Sequence, residues 1–454
     1  MPEPYELSVT EAAAQIRGGL LSPVELVQSL LARVDALDGD LKAWVTIDRE
    51  ELLETARRSE IAAEWGGELG PIHGVPVGLK DIFYTAGMLT ACGSRVYADF
   101  VPEYDATSVA KIKDAGGIIL GKAVTTEFAT SDPSPTRNPW NLDHTPGGSS
   151  SGSSAAVAAR MVPAALGSQT GGSTCRPAAY SGIVGLKPTY GRISRYGVVP
   201  VSWSLDHVGI LTRTVADAAL MLNVLSGEDK NDSGSLGLPV PDFTQQMAEF
   251  SSLRLPRIGL LRDYFEDYAS PEMWAHTEQV AHKLASAGAE VEEVTLPESF
   301  AWAHSMQRVV MNVECAAFHQ ANHRSRAADY GPRIRAGIEM GLITPAATYL
   351  KALRLRRQFR ADMNEMAQQV DVLMMPATPE PAPRDLNTTG DAAFQSPWTA
   401  AGLPTIVVPS GLSDAGMPMA VQFAAPLAHE GRLLGAAHWS EQVAGLNEAP
   451  PNYP

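Results

Sequence analysis

Gly147-Gly148-Ser149-Ser150-Ser151-Gly152-Ser153-Ser154 runs on through AAVAA to residue 159, and Gly167-Ser168-Gln169-Thr170-Gly171-Gly172-Ser173-Thr174 follows shortly after. Glycines beside serines let backbone N–H groups approach a reacting carbonyl closely, as stabilising an oxyanion requires. The small, apolar run 153–159 suits a helix whose N-terminus rests on the first cluster. Upstream, Gly78-Leu79-Lys80-Asp81 supplies a lone lysine. A serine hydroxyl is a poor nucleophile until a base takes its proton, and a lysine desolvated by an apolar pocket can be that base. The competing reading of the clusters is a pair of flexible glycine-serine turns.

Outward from these blocks, strand and helix signals alternate. Toward the N-terminus, Ser22-Pro23-Val24-Glu25 is a capping box with proline at the first helical position, and Val27, Leu30, Leu31, Val34 and Leu37 share one helical face. From about residue 72 short β-branched runs appear between glycines. Residues 106–115 read as a helix and 117–121 as a buried strand. Thr214-Val215-Ala216-Asp217 opens another helix with a capping-box-like start. Residues 228–243, rich in glycine, proline and polar groups, read as a long surface loop, after which 255–261 resumes as a strand. Further on, 301–369 is largely helical, and 370–375 and 405–409 read as buried strands. The predicted class is α/β. One domain over 1–454 is expected, with N-terminal helices at about 7–60, a core at about 72–215 and a C-terminal α/β part at about 250–445. No internal repeat or low-complexity tract interrupts it.

The chain has 454 residues, 45% of them hydrophobic and 19% charged, which is ordinary for a globular protein with a sizeable core and argues against disorder. Its formal charge of −16 repels phosphate backbones, which predicts no nucleic-acid partner, although a local basic patch is compatible with it. Three widely spaced cysteines, Cys92, Cys175 and Cys315, suggest neither a disulfide framework nor a zinc site. The N-terminus has no basic segment followed by an apolar run, and no uncharged apolar stretch reaches the roughly 18 residues of a membrane span. A cytoplasmic protein without a membrane partner is expected.

Three motif matches fail on chemistry. Gly148-Ser149-Ser150-Ser151-Gly152 fits the GxSxG nucleophile elbow, but the turn-like Asp143-His144-Thr145-Pro146 stands where that motif needs a strand. Residues 116–122 match GxxxxGK, yet Ala123 replaces the hydroxyl that would hold magnesium. Ser108-Val109-Ala110-Lys111 matches SxxK without a later Lys-Thr-Gly, and Lys111 and Lys113 read as solvated residues of an amphipathic helix. The histidines form no metal-ligand pattern. His73, His144 and His207 lie near the serine clusters and are candidates for a pocket lining.

Lys80, Ser149 and Ser173 survive. With the blocks 147–159 and 167–179, the 24-residue spacing of their serines, and the segment 74–81 (GVPVGLKD), the chain resembles the amidase signature family. The strong match spans about 72–215, and the N-terminal helices and Gly402-Leu403-Pro404-Thr405 match more loosely. The resemblance implies a large twisted mixed β-sheet covered by helices on both faces. It implies Ser173 as nucleophile, Lys80 as neutral base, and Ser149, after a cis peptide bond, as proton shuttle. Backbone N–H groups of Thr170, Gly171, Gly172 and Ser173 would form the oxyanion hole. The scheme calls for no metal and no organic cofactor.

Arg176, three residues after Ser173, is a candidate for binding a substrate carboxylate or carbonyl, with a structural role on backbone carbonyls as the alternative. Thr130 is a further pocket candidate. Tyr196 and Trp203 read as core aromatics. Gln169 stands where amidotransferase A subunits usually carry aspartate. With Arg176 and Thr130-Ser131-Asp132-Pro133, it brings the chain closer to malonamidase-like members. The expectation is therefore a free-standing hydrolase, monomeric or homodimeric, acting on a small-molecule amide and extending to anilides, esters or carbamates (urethanes). The alternative is an A-type subunit of a tRNA-dependent amidotransferase that makes ammonia from glutamine.

Overall fold

The computed structural model describes residues 2–451 and 453. Eleven strands form one sheet: β1 (Trp44–Thr46), β2 (Pro76–Lys80), β3 (Ile118–Ala123), β4 (Ala164–Gln169), β5 (Val184–Lys187), β6 (His207–Thr212), β7 (Arg257–Leu260), β8 (Glu290–Glu293), β9 (Val372–Pro376), β10 (Thr405–Leu412) and β11 (Pro418–Ala424). Their order is β1-β3-β2-β4-β6-β5-β10-β11-β9-β7-β8. The sheet is mixed. β2 runs parallel to β3 and β4, and β7 runs parallel to β8 and β9, whereas β4, β6, β5, β10, β11 and β9 pair antiparallel in succession.

Every residue of β2, β4, β5, β6, β9 and β11 is buried. Successive side chains on a strand point to opposite faces, so both faces of the sheet centre are covered, and the strands read as unbroken apolar or small runs. The helix Pro23–Leu41 begins at Ser22, whose hydroxyl accepts from Val24 and Glu25 N–H in the expected capping box. Thr214 caps the helix Val215–Leu225 by accepting from Asp217 N–H, while the Asp217 carboxylate accepts from Thr10 instead of closing a capping box. Two short helices, Ser151–Ala158 and Cys175–Ser181, are buried along their whole length. Gly152 lets the first of them lie against the end of β3: a Cβ there would sit 2.3 Å from Ala43 O and 2.4 Å from Val124 N. The helices Ala303–Arg326, Pro332–Ile343 and Ala346–Ala367 make the C-terminal helical arm. Among the described residues, no helix is long and apolar enough to cross a membrane.

Two sequence expectations fail here. Lys111 is half-buried and donates to the carbonyls of Leu225 and Ser226, ending the helix Val215–Leu225 rather than meeting solvent. Trp203 and Tyr196 are 48% and 36% exposed, so they are not core residues. They follow β5 in a strand-free segment whose apolar content gave no period to place it inside or outside.

Candidate active site

Lys80 ends β2, and β4 lies beside it in parallel register with Leu79 opposite Leu166. Two residues further along β4 is Ser168, so the two strand ends bring their polar side chains together. Lys80 Nζ lies 2.7 Å from Ser149 Oγ and 2.8 Å from Ser168 Oγ. The side chain is fully buried, and desolvation draws its pKa down from 10.5 to about 7, opposed by the charge of Asp206. Ser149 follows a cis peptide bond after Gly148. Ser150 ties the clusters together: its N–H donates to Ser173 O at 3.3 Å, and its Oγ accepts from Ser168 N–H at 3.3 Å. Among the described residues, no hydrogen bond joins the hydroxyls of Ser149 and Ser173.

The loop from Thr170 to Ser173 leaves β4 and enters the helix Cys175–Ser181. Its carbonyls are anchored from outside: Gln307 donates to Thr170 O at 3.0 Å, and the Thr399 hydroxyl donates to Gly171 O at 2.6 Å. The Thr170 hydroxyl donates to Asp206 at 2.5 Å, and the other oxygen of that carboxylate accepts from Val201 and Ser202 N–H. Among the described residues, the N–H groups of Thr170, Gly171, Gly172 and Ser173 have no acceptor. Unpaired N–H groups on an anchored loop are available as donors to a ligand oxygen. Half-buried Ser173 opens into a cavity of about 320 Å³ that Thr130, Arg176, Gln307, Met311 and Arg333 also line.

Gln169 is buried and its amide is engaged on both sides. Its oxygen accepts from Thr174 and Cys175 N–H at 2.9 Å each, capping the helix Cys175–Ser181, and its nitrogen donates to Thr399 Oγ1 at 3.1 Å. Arg176 is also buried. Its guanidinium donates to Gly390 O at 2.7 Å, to Gly148 O at 2.6 Å and to Thr389 Oγ1 at 3.2 Å. It lines the cavity while holding the carbonyl of the peptide unit that precedes Ser149. Thr130 donates to Glu127 O at 2.7 Å, and Asp132 accepts from Arg333 and Ile334 N–H at the start of the helix Pro332–Ile343. Of the three histidines, His207 alone reaches the serine clusters' surroundings. His73 bonds Ser59 O and His144 bonds Ala382 O.

Sequence reasoning passed over Ser168, Asp206, Gln307 and Thr399. Ser168 stood inside the quoted block, and the alternation of β4 was its available signal. The other three come from distant segments without a local motif.

The Amidase family model matches residues 25–434. The A-type subunit of glutamyl-tRNA(Gln) amidotransferase from Geobacter sp. (strain M21) is 37% identical over 99% of this chain and 100% of its own length. That of Chromohalobacter salexigens is 39% identical over 99% of both. Among solved structures, a chain described with a vestigial protein complex and the origins of an s-triazine catabolic enzyme superposes with a TM-score of 0.91 at 31% identity, covering 97% of this chain and 100% of that one.

These relatives overturn the expectation of a free-standing hydrolase of small-molecule amides or carbamates with no nucleic acid among its partners. They are named as subunits of a tRNA-dependent enzyme and match end to end. The physical grounds for that expectation also fall away. Gln169 and Arg176 are held by internal hydrogen bonds, so neither discriminates between the two readings. Net charge is a sum over the surface and does not exclude local basic groups; Arg308, Arg333, Lys351, Arg354 and Arg357 are each exposed on the helices of the arm. A family model spanning most of the sequence, and the mixed sheet that carries the two serine clusters, together establish that this chain is a member of the Amidase family, an amidase signature enzyme.

Proposed function

We propose that this chain is the A-type subunit of a glutamyl-tRNA(Gln) amidotransferase and releases ammonia from the side-chain amide of glutamine. The observation that carries the reading is the end-to-end similarity to subunits of that name, with 98% or more of each relative covered. In this reading Ser173 is the nucleophile, Ser149 the shuttle and Lys80 the base. Ser173 Oγ attacks the amide carbonyl. Its proton passes to Ser149 as the Ser149 proton passes to Lys80. The oxyanion meets the N–H groups of the 170–173 loop, and each such donor contributes on the order of 3 kcal/mol to the transition state. Collapse of the intermediate expels the amine, which takes the stored proton and leaves as ammonia. Water then cleaves the acyl ester to glutamate and restores Ser173. Arg176 acts by holding the Gly148 carbonyl, which orients Ser149.

The test is to assay glutamine hydrolysis and amidation of glutamyl-tRNA(Gln) with the purified chain alone and with the partner subunits of such an enzyme. Ammonia transfer to the tRNA-linked glutamate only in the reconstituted complex, abolished by Ser173→Ala, is the expected result. A reconstituted complex that leaves glutamyl-tRNA(Gln) unchanged would refute it.

A further inference from the structure

Lys80 touches two hydroxyls, and their surroundings differ. Ser149 is fully buried and lines neither large cavity near the site, whereas Ser173 lines the 320 Å³ cavity. Ser168 lines a second cavity, of about 380 Å³, which shares Thr170 and Val201 with the first but does not include Ser173. Lys80 itself lines neither. Ser168, Asp206 and His207 are buried polar groups in the lining of the second cavity, beside the buried Val199, Val201 and Val208. His207 is 3% exposed, and its Nδ1 bonds Leu205 O at 2.7 Å. That leaves Nε2 as an acceptor, and it is buried with no protein partner. Tyr196 and Trp203, half-exposed, stand at the outer part of the same cavity.

We propose that Ser168 and this second cavity form the path by which Lys80 exchanges its proton with solvent, separate from the cavity that receives the substrate. The inference rests on Lys80 being the base in the proposed function. In the step, the Lys80 ammonium gives one N–H proton to Ser168 Oγ while Ser168 gives its hydroxyl proton to a cavity water. That water passes a proton to solvent buffer, leaving a neutral amine and an unchanged Ser168. The charged and titratable groups around the path are Asp206, Cys92 and Arg176, which act on Lys80, and His207 with the Arg195–Asp232 ion pair in the cavity. Such a path lets a Lys80 that is charged at rest lose its proton to solvent while a substrate fills the front cavity.

The test follows hydrogen exchange at 15N-labelled Lys80 Nζ by NMR in the full chain, below pH 7 where the group is charged, with its signal assigned by its loss in Lys80→Met. Exchange is measured before and after sealing the front cavity with a phenylmethylsulfonyl group on Ser173, or with Ser173→Trp if the serine resists labelling. Sealing should change the rate less than about twofold, Ser168→Ala should slow it about tenfold or more, and Ser168→Thr, which keeps the hydroxyl, should restore it. Slowing by the front seal to the same degree as by Ser168→Ala, or no slowing by Ser168→Ala, would overturn the proposal. The readout needs no turnover, so it stands apart from failure of the glutamine assay.

Discussion

Lys80 is held by two neutral hydroxyls, with no carboxylate in hydrogen-bond contact among the described residues, and its chemistry follows from that company. Desolvation penalises the ammonium, and hydroxyls return little of the cost, so the group titrates at about 7 instead of 10.5. In the proposed function the active form is the neutral amine, which grows as pH rises through that value. Sulfonylation of Ser173 by phenylmethylsulfonyl fluoride, followed by mass spectrometry, should therefore accelerate from acid toward pH 7 and level off above it. Lys80→Met should lower the plateau by about 10²- to 10⁴-fold and remove the pH step. An unshifted step in Lys80→Met would assign the titration to another group. At this scale the sequence was readable where a residue type has one chemical use: a lysine and two glycine-flanked serines. Ser168 was printed in the same block, but only the β2–β4 register aims it at Lys80. Gln169 and Arg176 were legible as unusual residues, but the hydrogen bonds that hold them reach in part to Thr399 and Gly390, 230 and 214 residues away, which no local pattern shows.

The element that decides the site is the loop between β4 and the helix Cys175–Ser181, clamped between β6 and the helical arm. Gly209 on β6 shows how tight that clamp is. A Cβ there would lie 2.1 Å from Thr174 Oγ1, and Thr174 N–H is already fixed by Gln169, so the loop has nowhere to retreat. Gly209→Ala should cost about 1–3 kcal/mol of unfolding free energy and slow Ser173 sulfonylation together. Gly39→Ala, with nothing within 4 Å of its Cβ inside the helix Pro23–Leu41, should instead stabilise by about 0.5–1 kcal/mol and leave the site untouched. Urea unfolding with parallel labelling separates the two. Helices and buried strands were legible at this scale because capping boxes and apolar runs are local signals. The exposure of Tyr196 and Trp203 was not, since aromatic rings serve core and cavity alike.

Across the whole molecule, the N-terminal and C-terminal parts are joined by buried charge as well as by the continuous sheet. Glu430, at the start of the helix Glu430–Ala444, accepts from Thr189 N–H at 3.0 Å and pairs with Arg192 at 3.3 Å, both side chains being nearly inaccessible. Removing one partner strands the other charge, so Glu430→Ala should destabilise by about 3–5 kcal/mol in urea. Glu430→Gln, which keeps an acceptor for Thr189, should cost less. Equal losses for the two substitutions would show that the charge pair is not what holds this junction.

The sequence by itself determined the α/β alternation, the helix starts and the family's lysine and serine motifs, because these are set by chemistry within a few residues of chain. The tertiary structure decided three further matters: that β2 lies between β3 and β4, that Lys80 is desolvated enough to titrate at about 7, and that Gln169 and Arg176 serve the scaffold. Burial and hydrogen-bond partnership are properties of neighbours in space. In this chain many of those neighbours come from segments dozens to more than two hundred residues apart, and no local pattern records them.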